Sequence, residues 1–403
     1  MYARMIDDGF VLQELPESIP SLRLALVTET YPPEINGVAM TLGRMVDGLQ
    51  HRRHRIQLIR PRQNTEEKPA NGEQFEEVLK PGVGIPRYYG LKMGLPAKQA
   101  LFRLWSLRRP DIVHIATEGP LGWSALTAAS KLRLPISTGF HTNFHSYSRH
   151  YGVGFMKKPI AAYLRKFHNR ALATLVPTED LRLELGAQGF ENLHVVSRGV
   201  DAGLFAPARR DIDLRRSWGV SNDGPVALYV GRMAAEKNLA LVVEAFEAMR
   251  AANPATKLVM VGDGPERKAL QNRHPHVIFA GARTGEDLAG HFASADVFLF
   301  ASMTETFGNV TLEAMASGLV VIAYDYAAAQ LYLEHDVSGL LAPYGDSATF
   351  NRLAAAVARD AARFAALRSR ARAVAEGIKW EQVLSDLEAV LVDVMRRQVS
   401  VPA

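Results

Sequence analysis

Cysteine is absent from the 403-residue chain, which excludes disulfide bonds, thiolate zinc sites and cysteine nucleophiles. The absence fits a reducing compartment, so we expect a cytoplasmic protein. Long apolar runs are missing too, since none approaches the roughly 20 residues that a membrane-spanning helix needs. Residues 1–20 lack the basic start and apolar stretch of a signal peptide, and we interpret them as an N-terminal extension.

Several catalytic and metal-binding motifs are also missing. The chain has no P-loop, no G-x-S-x-G elbow and no complete G-x-G-x-x-G dinucleotide fingerprint, so a dehydrogenase is not expected. No group of His, Asp and Glu has the spacing of a zinc site. The one Asp-x-Asp pair, Asp211 and Asp213, stands among arginines, which favours solvated or ion-paired acids. We therefore expect no metal ion and no other cofactor.

Charge is unevenly distributed in an ordinary globular composition of 48% apolar and 22% charged residues. Residues 21–198 contain 25 Lys and Arg against 14 Asp and Glu, a net charge of +11, whereas residues 199–403 contain 21 against 24. A basic half suggests an anionic partner, such as an acidic membrane surface, a phosphorylated acceptor or nucleic acid. The alternative is a solvated basic surface without a partner.

Strand-like and helix-like runs alternate along the chain, which predicts an α/β protein with parallel sheets and helices on both faces. Residues 199–225 interrupt the alternation with Gly, Pro and charged residues, so we place the start of a linker there. This divides the chain into a domain at 21–198, a domain at 199–378 and a C-terminal helix at 379–403. Tandem domains form a cleft, where ligands commonly bind. Within the first domain, residues 62–95 look irregular.

Residues 297–323 are predicted to form a strand, a loop, a helix and a further strand. Glu305 lies in the loop at the carboxyl edge of the sheet, where ligands of open α/β sheets bind, and Glu313 lies about one turn into the helix. Thr306 or Asn309 can cap this helix. The alternative interpretation is an ordinary loop glutamate and a solvated helix glutamate.

Basic residues follow the first strand of the second domain. Arg232 and Lys237 stand between the carboxyl end of this strand and the next helix, where a guanidinium fork and an ammonium group can clamp a diphosphate. Surface solvation is the alternative. Farther along the chain, Gly262 and Gly264 form a tight strand-to-helix turn, which is either a phosphate turn or a purely structural one.

Two features of the first domain also fall at a ligand edge. Gly37 opens a helix after the first strand and lets the backbone approach a ligand. His141 follows a buried strand, and a structural histidine is the alternative. Residues 155–170 mix basic and apolar side chains at helical spacing. This pattern fits either an interfacial helix on anionic lipid or a packed helix with a solvated basic face.

Four motifs occur in order: ETYPPEINGVAMT at 29–41, GFHTNF at 139–144, GRMAAEKN at 231–238 and ETFGNVTLE at 305–313. Together they resemble the retaining glycosyltransferases of family 4, over about residues 22–395. The resemblance implies the GT-B fold, in which two Rossmann-like domains face each other across a cleft and the C-terminal helix crosses back to the first domain. The runs FHSYSRHYG and YLRKFHNR are similar to the GDP-mannose-dependent α-mannosyltransferases of this family.

The resemblance implies roles for individual residues. Arg232 and Lys237 would bind the donor diphosphate and offset charge as the nucleotide leaves. Glu305 would hold the sugar, His141 would contact it near the reacting carbon, and Glu313 would bind the ribose. The remaining donor-binding positions are Gly37, Gly262, Gly264, Phe307, Gly308 and Asn309.

These roles imply transfer of a hexose, with mannose as one candidate, from GDP-mannose or a UDP-hexose to a lipid or saccharide acceptor. The donor phosphate would take the acceptor's proton, attack would occur on the same face, and no metal ion would be required. Nucleic acid is not expected as a partner. Membrane contact would be peripheral, with anionic lipid on the inner face.

The chain departs from the family at its first motif, where Gly37 stands alone at a site that often has two adjacent glycines. Two alternatives to the transferase remain open. One is a nucleotide-sugar 2-epimerase of the same architecture. The other is a non-catalytic protein that binds a nucleotide sugar or nucleic acid.

Overall fold

The structure, a computed structural model, describes residues 4–5, 11–12, 20–85, 92–141, 157–220, 224–360 and 362–399. The strands of the first half are β1 (Arg4–Met5), β2 (Val11–Leu12), β3 (Arg23–Val27), β4 (Arg55–Pro61), β5 (Asn71–Gly72), β6 (Phe75–Lys80), β7 (Gly82–Gly84), β8 (Lys92–Gly94), β9 (Ile112–Ile115), β10 (Ile136–Gly139), β11 (Ala173–Val176) and β12 (Leu193–Val195). The helices of this half are α1 (Gly37–His51), α2 (Lys98–Leu107), α3 (Pro120–Lys131), α4 (Lys157–His168) and α5 (Glu179–Ala187).

The main sheet of the first half has the strand order β12-β11-β10-β9-β3-β4-β6-β5. Neighbouring strands are parallel, except that β5 is antiparallel to β6. The direction of the strand order switches between β3 and β9, and a crevice opens at the carboxyl ends of the strands at such a point. Gly37 follows β3 and His141 follows β10, so both lie at this edge.

The second half begins with α6 (Ile212–Ser217) and forms a second sheet. Its strands are β13 (Val226–Val230), β14 (Lys257–Val261), β15 (Ile278–Gly281), β16 (Val297–Phe300), β17 (Val320–Tyr324) and β18 (Leu340–Ala342). The helices among them are α7 (Leu239–Ala252), α8 (Arg267–Arg273), α9 (Gly285–Ser294), α10 (Asn309–Ala316), α11 (Ala327–Tyr332), α12 (Ser347–Arg359), α13 (Ala365–Gly377) and α14 (Trp380–Val399).

The second sheet is parallel throughout, with the order β15-β14-β13-β16-β17-β18. This is the order of a doubly wound nucleotide-binding sheet, and its switch point lies between β13 and β16. Every residue of β13, β16 and β17 is buried. Helices cover both faces of these strands, which explains their continuous apolar sequences.

The prediction of irregular structure at residues 62–95 is wrong where β5 to β8 form. Strand β6 pairs with β4, and Glu77 of β6 is buried because Arg60 of β4 donates to it, with Nε and Oε1 2.7 Å apart. A strand that buries a charged pair does not show the apolar alternation by which strands are recognised.

The segment expected to begin a linker is packed against the second domain. Phe205 and Trp218 are buried in the same core as β13 and β16. Asp211 caps α6, because its side chain accepts from the backbone N–H of Asp213. Asp213 in turn pairs with Arg216 at 2.7 Å. Asp211 therefore stabilises the start of a helix, and Asp213 forms an ion pair with a neighbouring arginine, as expected for acids that stand among arginines.

The C-terminal helix α14 crosses back to the first domain, as the resemblance implies. Val383 and Leu387 join the apolar core formed by β3 and α1. Glu388 is buried beside them and accepts from Arg52, with Nη1 2.7 Å away, and contacts His54 Nε2, also at 2.7 Å. The last helix therefore completes the first domain and ties the two ends of the chain together.

Helix α4 combines a packed face with a basic face. Leu164 and Phe167 are buried, while Lys158, Arg165 and Lys166 are exposed. This arrangement fits the packed-helix alternative, and contact with a membrane stays a prediction. In the parts of the chain that the structure describes, no helix is long and apolar enough to cross a bilayer.

Candidate active site

The switch point of the second sheet is lined by the loops after β13 and β16. Gly231 follows β13 with a φ of 154°, so the chain can turn sharply into Arg232. Arg232 pairs with Glu236, whose side chain is fully buried in the 3₁₀ turn before α7. Lys237, which ends this turn, pairs with Glu305 of the other loop. Both predicted clamp cations therefore lie at the ligand edge, each paired with a carboxylate.

Gly262 and Gly264 lie in the loop after β14, beside the clamp. A Cβ at Gly262 would lie 2.0 Å from the carbonyl oxygen of Gly231, and one at Gly264 would lie 2.3 Å from that of Met233. Only glycine permits main chains to approach this closely. The two glycines therefore fix the main chain on both sides of Arg232, and their direct contact with a donor stays a prediction.

Gly308 is the N-cap of α10, with a φ of 94°, and no side chain caps this helix. The prediction that Thr306 or Asn309 caps it is therefore wrong. Both side chains bond to the first domain instead. Thr306 Oγ1 donates to the backbone carbonyl oxygen of His141 at 3.0 Å, and Asn309 Nδ2 donates to Thr41 Oγ1 at 3.0 Å.

The rest of this loop is anchored within the second domain. Phe307 is buried and packs edge-on against the ring of Tyr332. The Tyr326 hydroxyl donates to the backbone carbonyl oxygen of Glu305. Glu305 therefore presents its carboxylate to Lys237 from a fixed main chain.

Glu313 lies on α10 where the second domain faces α1. Burial raises the pKa of its carboxyl to about 7, and the positive charge of Arg44 on α1 opposes this shift. Arg44 also pairs with Asp201 at 2.9 Å. Within the described residues the Glu313 carboxyl makes no hydrogen bond. Partly desolvated and without a bonded partner, it is suited to accept from the hydroxyls of a ligand.

His141 is buried at the edge of the first sheet. Its Nδ1 lies 3.0 Å from Nη2 of Arg198, which follows β12. Burial, followed by the charge of Arg198, lowers the pKa of the imidazole well below its usual value. His114 on β9 is also buried, and its Nδ1 lies 2.9 Å from Ser137 Oγ. The site thus offers a neutral imidazole at physiological pH.

Gly37 is the first residue of α1, and Asn36 caps this helix by accepting from the N–H of Ala39 at 2.9 Å. The carbonyl oxygen of Gly37 lies 3.5 Å from Asn309 Nδ2. The start of α1 therefore faces α10 of the other domain. Contact between Gly37 and a phosphate stays a prediction.

Three residues of the site were not predicted from the sequence. Arg198 could have been found, because it follows a strand at the same sheet edge as His141. Thr41 and Arg44 share a helix face with Gly37, at spacings of four and seven residues. Residues 142–156, which contain the rest of the GFHTNF motif, fall outside the described residues.

The described residues contain no group of three or more His, Asp or Glu side chains that could hold a metal ion. Arg232 and Lys237 carry two positive charges in the loop that follows β13. Their placement at the end of β13 is the one that a nucleotide-binding sheet uses for its ligand.

Two family models match the chain: Glycosyltransferase Family 4 over residues 35–204 and Glycosyl transferases group 1 over residues 224–360. A GDP-mannose-dependent alpha-mannosyltransferase of Mycobacterium tuberculosis is 36% identical over 334 residues, which cover 81% of this chain and 85% of that protein. The chain belongs to glycosyltransferase family 4. A protein of the same description from Corynebacterium glutamicum is 32% identical to this family 4 glycosyltransferase over 392 residues, covering 96% of this chain and 92% of its own.

Among solved structures, HepE of Anabaena in complex with UDP and glucose matches the glycosyltransferase with a TM-score of 0.71 at 18% identity. The match covers 92% of this chain and 99% of HepE. It shows that the family 4 glycosyltransferase has the predicted GT-B fold. The family assignment likewise confirms the predicted enzyme class.

Proposed function

We propose that this glycosyltransferase transfers mannose, with retention of configuration, from GDP-mannose to a hydroxyl group of a lipid or saccharide acceptor. The observation that carries the proposal is the hydrogen bond between Thr306 and His141, beside the pair of Lys237 and Glu305. It brings a diphosphate clamp, a sugar-orienting carboxylate and a neutral imidazole to one cleft. GDP-mannose is the donor in the names of the two mannosyltransferase relatives.

Donor binding requires an exchange of partners at Lys237. In the proposed complex, Arg232 and Lys237 bind phosphate oxygens, so Lys237 releases the carboxylate of Glu305. That carboxylate then accepts hydrogen bonds from the sugar hydroxyls. Glu313, once ionised, accepts from the hydroxyls of the ribose.

Transfer breaks one carbon–oxygen bond and forms another at the anomeric carbon. The acceptor oxygen attacks on the face from which the phosphate departs, and its proton passes to the departing phosphate oxygen. This same-face geometry retains the configuration. Arg232 and Lys237 offset the negative charge that develops on the leaving nucleotide, which is work that a metal ion does in other enzymes. Transfer is therefore proposed to need no metal.

The first domain favours a lipid acceptor on an anionic membrane over a free saccharide. Ile35 and Met40 stand on either side of Gly37 and are 59% and 45% exposed. The domain that carries them is also strongly basic. This surface suits an amphiphilic acceptor in an anionic membrane. The acyl tail of the acceptor can contact the exposed apolar side chains, and the anionic lipids around it can contact the basic residues. A cytoplasmic location, peripheral to the membrane, belongs to the same proposal.

The test is incubation with GDP-mannose and a panel of lipid vesicles and oligosaccharides, in buffer with EDTA. We expect release of GDP and a product whose NMR spectrum shows an α-linked mannose. Replacing Arg232 or Glu305 by alanine should abolish transfer and leave the thermal unfolding curve in place. Full activity of either variant would overturn the proposal.

The same incubation without acceptor tests the first alternative, and a separate binding measurement tests the second. Isomerised sugar nucleotide formed without acceptor would indicate the 2-epimerase. Tight binding of nucleic acid that falls steeply with salt, without turnover of the donor, would indicate a binding protein. Membership of a glycosyltransferase family favours transfer over both.

A further inference from the structure

Arg198 is a buried arginine that has no acidic partner among the described residues. Its side chain is 5% exposed. Nη1 donates to the carbonyl oxygens of Val196 and Ser197, each 2.9 Å away, and Nη2 lies 3.0 Å from Nδ1 of His141. Within the described residues no carboxylate lies within ion-pair distance of it. Burying a guanidinium in this way is costly, so its bond to His141 requires an explanation.

The chemistry of the two side chains fixes the proton on the imidazole. A guanidinium has donors and no acceptor, so Nδ1 of His141 must accept and cannot carry hydrogen. The neutral ring therefore carries its proton on Nε2. In the described part of the chain, this Nε2 is buried and has no hydrogen-bond partner. A buried donor left unpaired in a native protein calls for a ligand that completes it.

The surroundings of His141 hold the ring in place and keep it neutral. Residue 139 is a glycine, and a Cβ at this position would lie only 2.4 Å from Nε2 of His141. The charged and titratable groups that face it are Arg198, His114 on β9 and His168 on α4. From the second domain, Thr306 binds the backbone carbonyl of His141. A proton on Nδ1 would be repelled by the guanidinium of Arg198. Among the described residues, no anion faces the ring to offset this repulsion.

We infer that Arg198 is a positioning residue, which holds His141 as the neutral Nε2–H tautomer so that this N–H donates to a hydroxyl oxygen of the transferred sugar. The inference rests on the proposed function, because the sugar is the ligand that would complete the buried donor. Without Arg198, the ring could present either a donor or a lone pair at Nε2. A sugar hydroxyl that already donates its own hydrogen to another group can only accept from the ring. Only the donor form of Nε2 can therefore bond to it.

Three substitutions of one residue separate this role from mere packing. Arg198→Met removes every donor, Arg198→Gln keeps a neutral donor, and Arg198→Lys keeps a charged one. Thermal unfolding of each variant is measured alongside, so that a change in folding is not mistaken for an effect on His141. Differences between Met and the other two therefore report on His141.

The primary readout is NMR of ¹⁵N-histidine-labelled protein, with His141 assigned by the spectrum of His141→Gln. In the wild type we expect unprotonated Nδ1, protonated Nε2 and no titration between about pH 5.5 and 8. In Arg198→Met we expect a mixture of the two neutral tautomers, with the ring still untitrated in that range because its burial remains. Retention of the pure Nε2–H form in Arg198→Met would overturn the inference.

The second readout is kcat for mannose transfer at saturating GDP-mannose. Arg198→Met should lower it by about tenfold or more. Lys, which is a donor only, should recover most of the loss, and Gln, whose amide oxygen can also accept from Nδ1–H, should recover less. Equal activity of the three variants would also overturn the inference. If the NMR result is as expected but the wild type transfers no mannose, the proposed function fails and the positioning of His141 stands.

Discussion

Thr306 of the second domain donates a hydrogen bond from Oγ1 to the backbone carbonyl oxygen of His141 in the first domain, 3.0 Å away. The same loop of the second domain presents Glu305 to Lys237. The two halves of the candidate active site are therefore set against each other by a loop that also carries Glu305, the carboxylate proposed to orient the sugar. A change of one atom in this contact should affect transfer without touching a charged group.

Replacing Thr306 by valine removes this donor and preserves the shape of the side chain. We expect kcat/KM for mannose transfer to fall about fivefold to tenfold, because one interdomain hydrogen bond is worth about 1 kcal/mol. The control is Thr127→Val on α3, whose hydroxyl donates to the backbone carbonyl oxygen of Trp123 at 2.8 Å within its own helix. It should leave kcat/KM unchanged. Equal effects of both variants would contradict the role of Thr306.

The pair of Lys237 and Glu305 predicts opposite effects on nucleotide binding. Lys237→Met should weaken the binding of GDP and of GDP-mannose alike, because it removes a positive charge that is proposed to bind the diphosphate. Glu305→Gln should strengthen GDP binding, because Lys237 can then bind the diphosphate without first breaking its ion pair. The same variant should weaken the binding of GDP-mannose relative to that of GDP. Isothermal titration calorimetry with both ligands measures this difference. Parallel weakening of both ligands by Glu305→Gln would contradict the proposed exchange.

Gly139 is predicted to be required for the position of His141. A Cβ at this residue would lie 2.4 Å from Nε2 of His141 and 3.3 Å from Nε2 of His114, so Gly139→Ala must displace an imidazole. We expect transfer to fall by about tenfold or more with GDP binding unchanged, because the nucleotide is proposed to bind the other domain. Gly290→Ala is the matched control, since nothing lies within 4 Å of its Cβ. It should keep full activity.

The raised pKa of Glu313 predicts a dependence of stability on pH. The pKa rises from an ordinary value of 4.5 to about 7 because of burial, so between these values the folded protein holds a proton that the unfolded chain has lost. The wild type should therefore lose stability as pH rises through this window. Relative to Glu313→Gln, the loss should be roughly 1–3 kcal/mol between pH 5 and 8.

Urea unfolding of both proteins at pH 5 and pH 8 measures this effect. The control is Glu244→Gln at an exposed position on α7, which keeps Glu313 and should therefore lose stability between pH 5 and pH 8 as the wild type does. A wild type and Glu313→Gln that respond to pH in the same way would show that the carboxyl is hydrated in the folded state.

Much of the fold follows from the order of residue types along the chain. Buried parallel strands are apolar throughout, as in β16, and glycine stands where the chain must turn, as at Gly308. The prediction failed at β6, where Glu77 is buried by an ion pair with Arg60. It also failed at the cap of α10, because Thr306 and Asn309 bond across the cleft rather than to their own helix.

The sequence by itself determined which chemical groups stand at the carboxyl ends of strands: Arg232, Lys237, Glu305 and His141. It could not determine how they pair. Arg198 and His141 are 57 residues apart, Lys237 and Glu305 are 68 apart, and His141 and Thr306 are 165 apart. Local periodicity carries no information over such separations. Only the strand order at each switch point and the docking of one sheet edge against the other bring these groups within a hydrogen bond of one another.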